Sequence, residues 1–193
     1  MAKVNRLLGM FCSADYETRI EAIEASYDYS NSSEVTNAIV ESVNDSDELV
    51  RVSAVEAIGN LKIPVSDVQL KRLLKDDHSL VRCAAIITIG LLSRQTLMEP
   101  VKRVYGQGNA NESVSCCYCL YLLGEQEYLA KALSYLEDDD YTVRCSVINT
   151  ANEFVKDRDV DMVLSMLTEK SKTETTNAVQ SSISAFVASH GTR

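Results

Sequence analysis

The sequence contains no tryptophan, and its 193 residues include only two prolines, two histidines and three phenylalanines. Two histidines cannot supply a histidine-rich metal site, and no Gly-rich phosphate loop, nucleophile elbow or Ser/His/Asp set is found. No apolar run approaches the roughly 20 residues of a membrane-spanning helix. The apolar stretch 7–12 is also too short for the core of a signal peptide. We therefore expect no metal, no cofactor, no catalytic residue and no membrane contact.

Positive charge is also scarce. The chain has 19 Lys and Arg against 28 Asp and Glu, a net charge of −9. Binding to a phosphate backbone needs clustered Lys and Arg, so we expect no nucleic-acid partner. An acidic chain suits a basic protein partner instead.

Arginine recurs at a fixed interval, at Arg19, Arg51, Arg82 and Arg144. Arg51 and Arg82 are 31 residues apart, and Arg144 follows Arg82 by twice that interval, with Ser113 at the position between them. A fixed period in this range is typical of a solenoid of repeated helix pairs. It predicts one repeat domain over 1–193, with repeats at approximately 1–31, 32–62, 63–93, 94–124, 125–155 and 156–193.

Each repeat contains two amphipathic stretches, which we name helix A and, after the turn, helix B. In the second repeat Asp47 is a good N-cap, and apolar residues then follow at helical spacing. The position four after the arginine is apolar or cysteine in every repeat: Ile23, Val55, Ile86, Cys117, Ile148 and Val179. Five of the six cysteines lie in B helices, where other repeats carry small or aliphatic residues. We interpret them as reduced core thiols, which favours a reducing, cytoplasmic location.

The segments Asp47–Gly59, Asp77–Gly90 and Asp139–Ile148 resemble the Asp-x-x-Val-Arg-x-x-Ala-x-x-Ala-Leu-Gly pattern of HEAT repeats of the short phycobilisome-lyase type. The resemblance implies an all-α, right-handed α-solenoid of about six antiparallel helix pairs. It also implies that the Asp and Arg of each repeat tie neighbouring repeats together, so that the arginines are structural. By the same register, we expect His78 to cap its B helix. The fourth repeat departs most, because Ser113 replaces the arginine.

In HEAT proteins the B helices line the concave side. At 100° per residue, the positions two, five and nine after the arginine lie opposite the buried positions. We call these positions the B-face, and we expect them to be exposed. Their acidic and large apolar members are the predicted partner-binding residues: Glu21, Glu24, Asp28, Glu56, Ile87, Leu91, Tyr118, Leu122 and Glu153. None of the B-face positions carries Lys or Arg.

These features favour a non-catalytic module that binds a protein, expected to be basic, on an apolar patch with an acidic rim. Some small HEAT-like proteins are immunity proteins, so the resemblance also allows an inhibitor of a toxin domain. The alternative is a lyase-like enzyme or enzyme subunit that handles a small ligand such as a bilin. Its only candidate site would be the cysteine cluster at Cys116, Cys117 and Cys119.

Overall fold

The computed structural model describes residues 2–191, and every regular element in that range is helical. The twelve α-helices of this range are α1 (Ala2–Phe11), α2 (Tyr16–Ala25), α3 (Ser33–Ser42), α4 (Glu48–Asn60), α5 (Asp67–Leu73), α6 (Ser79–Leu91), α7 (Met98–Val104), α8 (Ala110–Leu122), α9 (Glu127–Ser134), α10 (Tyr141–Phe154), α11 (Val160–Ser171) and α12 (Asn177–His190). Short 3-10 segments lie at Ser26–Tyr29, Gln95–Leu97, Tyr135–Glu137 and Asp157–Asp159. Odd-numbered helices are the predicted A helices and even-numbered helices the B helices. The all-α class and the α-solenoid repeat are therefore confirmed.

The chain divides into two compact bodies, an N-terminal body (Met1–Pro100) and a C-terminal body (Val101–Arg193). In the N-terminal body the B helix α4 packs against both α2 and α6. In the C-terminal body α10 packs against both α8 and α12. The single repeat domain over 1–193 stays a prediction.

Side-chain caps fix where most B helices begin. In α2, α4, α8 and α10 the side-chain oxygen of the N-cap residue accepts a backbone N–H of the first turn. These N-cap residues are Asp15, Asp47, Asn109 and Asp140. The expectation for His78 is wrong, because its side chain makes no capping bond although it occupies the N-cap position of α6. The carboxylate of Asp76 instead accepts the backbone N–H of His78 at 2.9 Å.

The recurring arginines form a structural ladder, as the resemblance implied. Arg19 donates from Nε and Nη2 to the two carboxylate oxygens of Asp45, both at 2.8 Å, and from Nη1 to the carbonyls of Ser13 and Ala14. The same bidentate pattern joins Arg51 to Asp76 and Arg144 to Glu174. Arg19, Arg51 and Arg144 thus close their own turns and hold the turn of the next repeat. Arg82 donates to the carbonyls of Asp76 and Asp77 in its own turn.

The B helices approach one another closely where small residues face the neighbour. The position four after the arginine is at most 1% exposed in all six repeats, which confirms its assignment to the core. Between α4 and α6, a Cβ added to Gly59 would lie 2.8 Å from Thr88 Oγ1. The Thr88 hydroxyl donates to the carbonyl of Val55 at 2.9 Å. Glycine is needed there because the neighbouring helix occupies the space of a side chain.

Candidate functional site

The acidic part of the predicted B-face lies on the N-terminal body. Glu21 and Glu24 on α2 are exposed, as is Asp28 in the 3-10 segment that follows. Glu56 on α4 is exposed as well. Because α2 packs beside α4, these side chains share one side of the body.

Contacts between neighbouring helices hold this surface at both ends. At the C-terminal end of α4, Asn60 Nδ2 donates to the Tyr27 hydroxyl at 3.2 Å. At the N-terminal end, Arg19 Nη2 on α2 lies 2.8 Å from the Asp45 carboxylate in the turn before α4. The first turns of α2 and α4 are therefore neighbours, and the two helices run in the same direction.

The third B helix of this body, α6, contributes apolar residues. Ile87 and Leu91 are half-buried rather than fully exposed. Ala84, one turn before Ile87, is buried. The Leu91 side chain lies against the backbone of α4 near Gly59, which accounts for its partial burial. Both residues still reach solvent, so their predicted role in partner binding stays a prediction.

Two exposed leucines extend this surface and were missed by the sequence analysis. Leu49 is 42% exposed and Leu80 is 56% exposed, in the first turns of α4 and α6. Each leucine lies two residues before the arginine and four residues before the first B-face position of its helix. Four residues correspond to a rotation of only about 40° around the helix, so each leucine lies on the same side as the B-face. The sequence carried this signal, because extending the B-face by one helical turn would have included both leucines.

The extended B-face of the N-terminal body therefore changes character from helix to helix. Its residues are Glu17, Glu21, Glu24 and Asp28 on α2 and the 3-10 segment after it, then Leu49, Ser53, Glu56 and Asn60 on α4, then Leu80, Ala84, Ile87 and Leu91 on α6. The α2 edge is acidic, the centre is mixed and the α6 edge is apolar. None of these residues is basic.

The expectation that Tyr118 is exposed is wrong. Its side chain is completely buried, and its hydroxyl donates to the carbonyl of Val147 on α10 at 2.8 Å. All residues from Glu112 to Tyr121 on α8 are buried, so this helix has no solvent face to which Tyr118 could belong. The sequence from Ser113 to Leu123 contains no charged residue, and a helix that is apolar on all sides is usually buried. Tyr118 is a core residue and not part of a binding surface.

Of the other predicted residues of the C-terminal body, Leu122 is less exposed than expected and Glu153 is the one acidic residue. Leu122 is half-buried. Glu153 on α10 is exposed, although nearby protein atoms partly desolvate its carboxyl group and raise its pKa. On α12, Gln180 donates its amide to the carbonyls of Ser171 and Glu174 and is therefore directed toward its own turn. The acidic and apolar surface is therefore developed furthest on the N-terminal body.

The cysteine cluster of α8 is inaccessible. Cys116, Cys117 and Cys119 have no exposed surface, and burial raises the pKa of the Cys117 thiol to about 11. A buried thiol with a raised pKa is a poor nucleophile. Thiols in this state are poorly suited to the role that the lyase-like alternative would give them.

The A helices carry a basic cluster. Lys71, Arg72 and Lys75 on or next to α5 are exposed. In the C-terminal body Lys102 forms an ion pair with Glu125 at 3.3 Å. These basic side chains therefore lie on A helices, whereas the B-face of the N-terminal body has none.

Two classes of site are not found in the part of the chain that the structure describes. Residues 2–191 contain no group of three or more His, Cys, Asp or Glu side chains placed to hold a metal ion. No helix in this range is long and apolar enough to cross a membrane.

Comparison with known proteins agrees with this architecture. Residues 4–90 match the HEAT repeat family. Among solved structures, the complex of CpcE and CpcF of phycocyanin lyase from Nostoc sp. PCC7120 is similar with a TM-score of 0.51 and 12% identity, covering 94% of this chain and 92% of that chain. A search of curated proteins finds no match. Residues 4–90 are thus similar to HEAT repeats, and the fold of the chain is similar to that of the phycocyanin lyase complex.

Proposed function

We propose that the chain is a protein-binding module that takes a basic protein partner on the B-face of its N-terminal body. HEAT repeats suggest protein interaction in general. The finer proposal rests on one observation, the exposed carboxylates of Glu21, Glu24 and Asp28 on a face that carries no Lys or Arg. Glu153 and Leu122, on the C-terminal body, stay predicted partner-binding residues and are not part of this surface.

The physical role of these carboxylates is mainly to steer the partner. Exposed charges contribute little affinity each, but a field of one sign raises the association rate and disfavours acidic competitors. The exposed leucines would supply the apolar contacts that slow dissociation. An immunity protein that neutralises a basic toxin domain is one specific form of this function.

The alternative of a lyase-like enzyme is less well supported. The fold resembles that of a phycocyanin lyase complex, but at 12% identity this likeness concerns the fold alone. The thiols that the alternative would use are buried. We therefore favour binding over catalysis.

The proposal is tested by matched charge reversals in affinity capture from the native host. Glu24→Lys reverses a charge on the B-face, and Glu41→Lys reverses one exposed charge on the A helix α3 of the same body. We expect the wild type and Glu41→Lys to enrich the same partner, with an isoelectric point above about 8, and Glu24→Lys to enrich much less of it. Quantitative mass spectrometry measures the enrichment. Equal enrichment by both variants, or an acidic partner, would contradict the proposal.

A further inference from the structure

We infer that the partner presents an amphipathic basic helix to the B-face of the N-terminal body, with its apolar stripe on α4 and α6 and its Lys/Arg stripe over α2. The inference rests on the proposed function and deepens it by giving the shape and the orientation of the bound segment. Three features of the surface carry it: an exposed apolar edge, a complementary acidic edge and the dimensions of the face between them.

The apolar edge consists of leucine and isoleucine side chains at helix positions that face water. Leu80 and Leu49 are 56% and 42% exposed, and they lie on adjacent helices. The His78 ring on α6 lies 3.9 Å from the Glu48 carboxylate on α4, which shows that the two first turns are neighbours. The half-buried Ile87 and Leu91 continue the edge along α6. A contiguous apolar edge with a polar border is typical of an interaction surface.

The acidic edge fixes the charge of the occupant and its orientation. Glu17, Glu21 and Glu24 on α2 are all exposed, and Asp28 continues the line. Lys or Arg side chains on one flank of a bound segment would meet these carboxylates, while its apolar flank would meet the leucines. The reverse orientation would place cations against leucine side chains and bury apolar groups against carboxylates, which is unfavourable.

The dimensions favour a helix over an extended segment. The helices α4 and α6 have 13 residues each, so the face is about 20 Å long at 1.5 Å per residue. Three adjacent helices with axes roughly 8–10 Å apart make it about 16–20 Å wide. A helix of about 13 residues, 10–12 Å in diameter with side chains, lies lengthwise on such a face and reaches both edges with two different stripes.

An extended segment would fit less well for two reasons. Its side chains alternate between opposite sides, so only one row would face the surface. The B-face consists of helices whose backbone groups are already paired, so it offers no strand edge to complete the hydrogen bonds of an extended chain. A helix satisfies its own backbone and needs only side-chain contacts.

The test uses two synthetic fluorescent peptides of identical composition. One has leucines at i, i+3, i+4 and i+7 with lysines on one flank, and the other has the same residues permuted so that no face is apolar. Fluorescence anisotropy measures their dissociation constants for the wild type. We expect the amphipathic peptide to bind at least about 10-fold more tightly, since apolar anchors are each worth a factor of roughly 5 or more.

Matched variants of the protein then locate the contact. Leu49→Ser/Leu80→Ser removes the apolar edge, and Val68→Ser removes an apolar side chain that is 77% exposed on the A helix α5. We expect the double variant to weaken the amphipathic peptide about 10-fold or more and Val68→Ser to leave it unchanged. Far-UV circular dichroism verifies that each variant is folded, which these exposed positions should permit.

Cross-linking tests the orientation. A benzophenone on the apolar stripe of the peptide should label α4 or α6, and one on the lysine stripe should label α2. Labelling in the opposite sense, or equal binding by both peptides, overturns the inference.

The outcomes separate this inference from the proposed function. If both peptides bind equally and Glu21→Gln/Glu24→Gln weakens both, charge steering by α2 stands and the helical shape is wrong. If neither peptide binds, the helical shape is also wrong, and the host capture with Glu24→Lys decides the proposed function independently. If the amphipathic peptide binds but no B-face variant affects it, the location is wrong.

Discussion

The ion pair between Arg144 and Glu174 gives the ladder a measurable contribution to stability. Arg144 Nε and Nη2 donate to the two carboxylate oxygens of Glu174 at 2.9 and 3.1 Å, and the backbone N–H of Thr176 donates to the same carboxylate at 2.9 Å. The Glu174 side chain is only 3% exposed. These donors, led by Arg144, lower the pKa of Glu174 from its ordinary 4.5 to about 2.

The lowered pKa implies a specific loss of stability in acid. A carboxyl group whose folded pKa is depressed stabilises the folded state above its unfolded pKa and loses that contribution as the pH falls toward the folded pKa. At about 1.4 kcal/mol per unit, the shift corresponds to roughly 3 kcal/mol as an upper bound. Screening by solvent beside the turn reduces this figure by about half, to roughly 1.5 kcal/mol. The loss should fall between about pH 5 and pH 2.

The Glu174→Gln variant isolates this contribution from those of the other carboxylates. Urea unfolding followed by circular dichroism gives the free energy of unfolding of both proteins at pH 7 and pH 3. We expect the wild type to be more stable at pH 7 by about 1.5 kcal/mol or more, and the difference to shrink by roughly 1 kcal/mol at pH 3. A difference that is the same at both pH values would refute the assignment of the low pKa to Glu174.

Three further outcomes follow from the packing. Gly59→Ala should lower the free energy of unfolding by about 1–3 kcal/mol because the added methyl group meets the neighbouring helix. Gly9→Ala, where a Cβ has open space, should raise it by about 0.5–1 kcal/mol. Thermal unfolding measures both changes. Tyr118→Phe should lower the free energy of unfolding by about 1 kcal/mol through the lost hydrogen bond, measured by urea unfolding, and no change would contradict a stabilising bond to Val147. A thiol reagent at pH 8 should label the exposed Cys12 in the folded protein and leave Cys117 unmodified, and rapid labelling of Cys117 would refute its inaccessibility.

Much of the fold could be predicted because the repeat imposes the same chemistry many times. The arginine interval fixed the register, and the register located the core position that is buried in every repeat. The cap at Asp47 could be predicted for the same reason, since a short acidic side chain before a helix satisfies the free N–H groups of its first turn. The arginine ladder followed from the resemblance and not from the spacing.

The exposed surface was harder to predict because amphipathic periodicity assumes that every helix has one side in water. That assumption holds for α2, where Glu21 and Glu24 are exposed, and fails for α8, where Tyr118 is buried on a helix that has no charged residue after its first turn. The B-face positions were counted only from the arginine onward, so Leu49 and Leu80, two residues before it, were not included. His78 occupies the N-cap position of α6 without a capping bond, and its ring lies instead 3.9 Å from the Glu48 carboxylate.

The most direct test of the central claim is hydrogen–deuterium exchange of the protein with and without its host partner. If the B-face of the N-terminal body is the binding surface, the backbone amides of α2 and α4 should exchange more slowly in the complex, and those of the A helices α3 and α5 should be unchanged. Protection confined to α3 and α5, or to the C-terminal body with no change at α2 and α4, would contradict the claim.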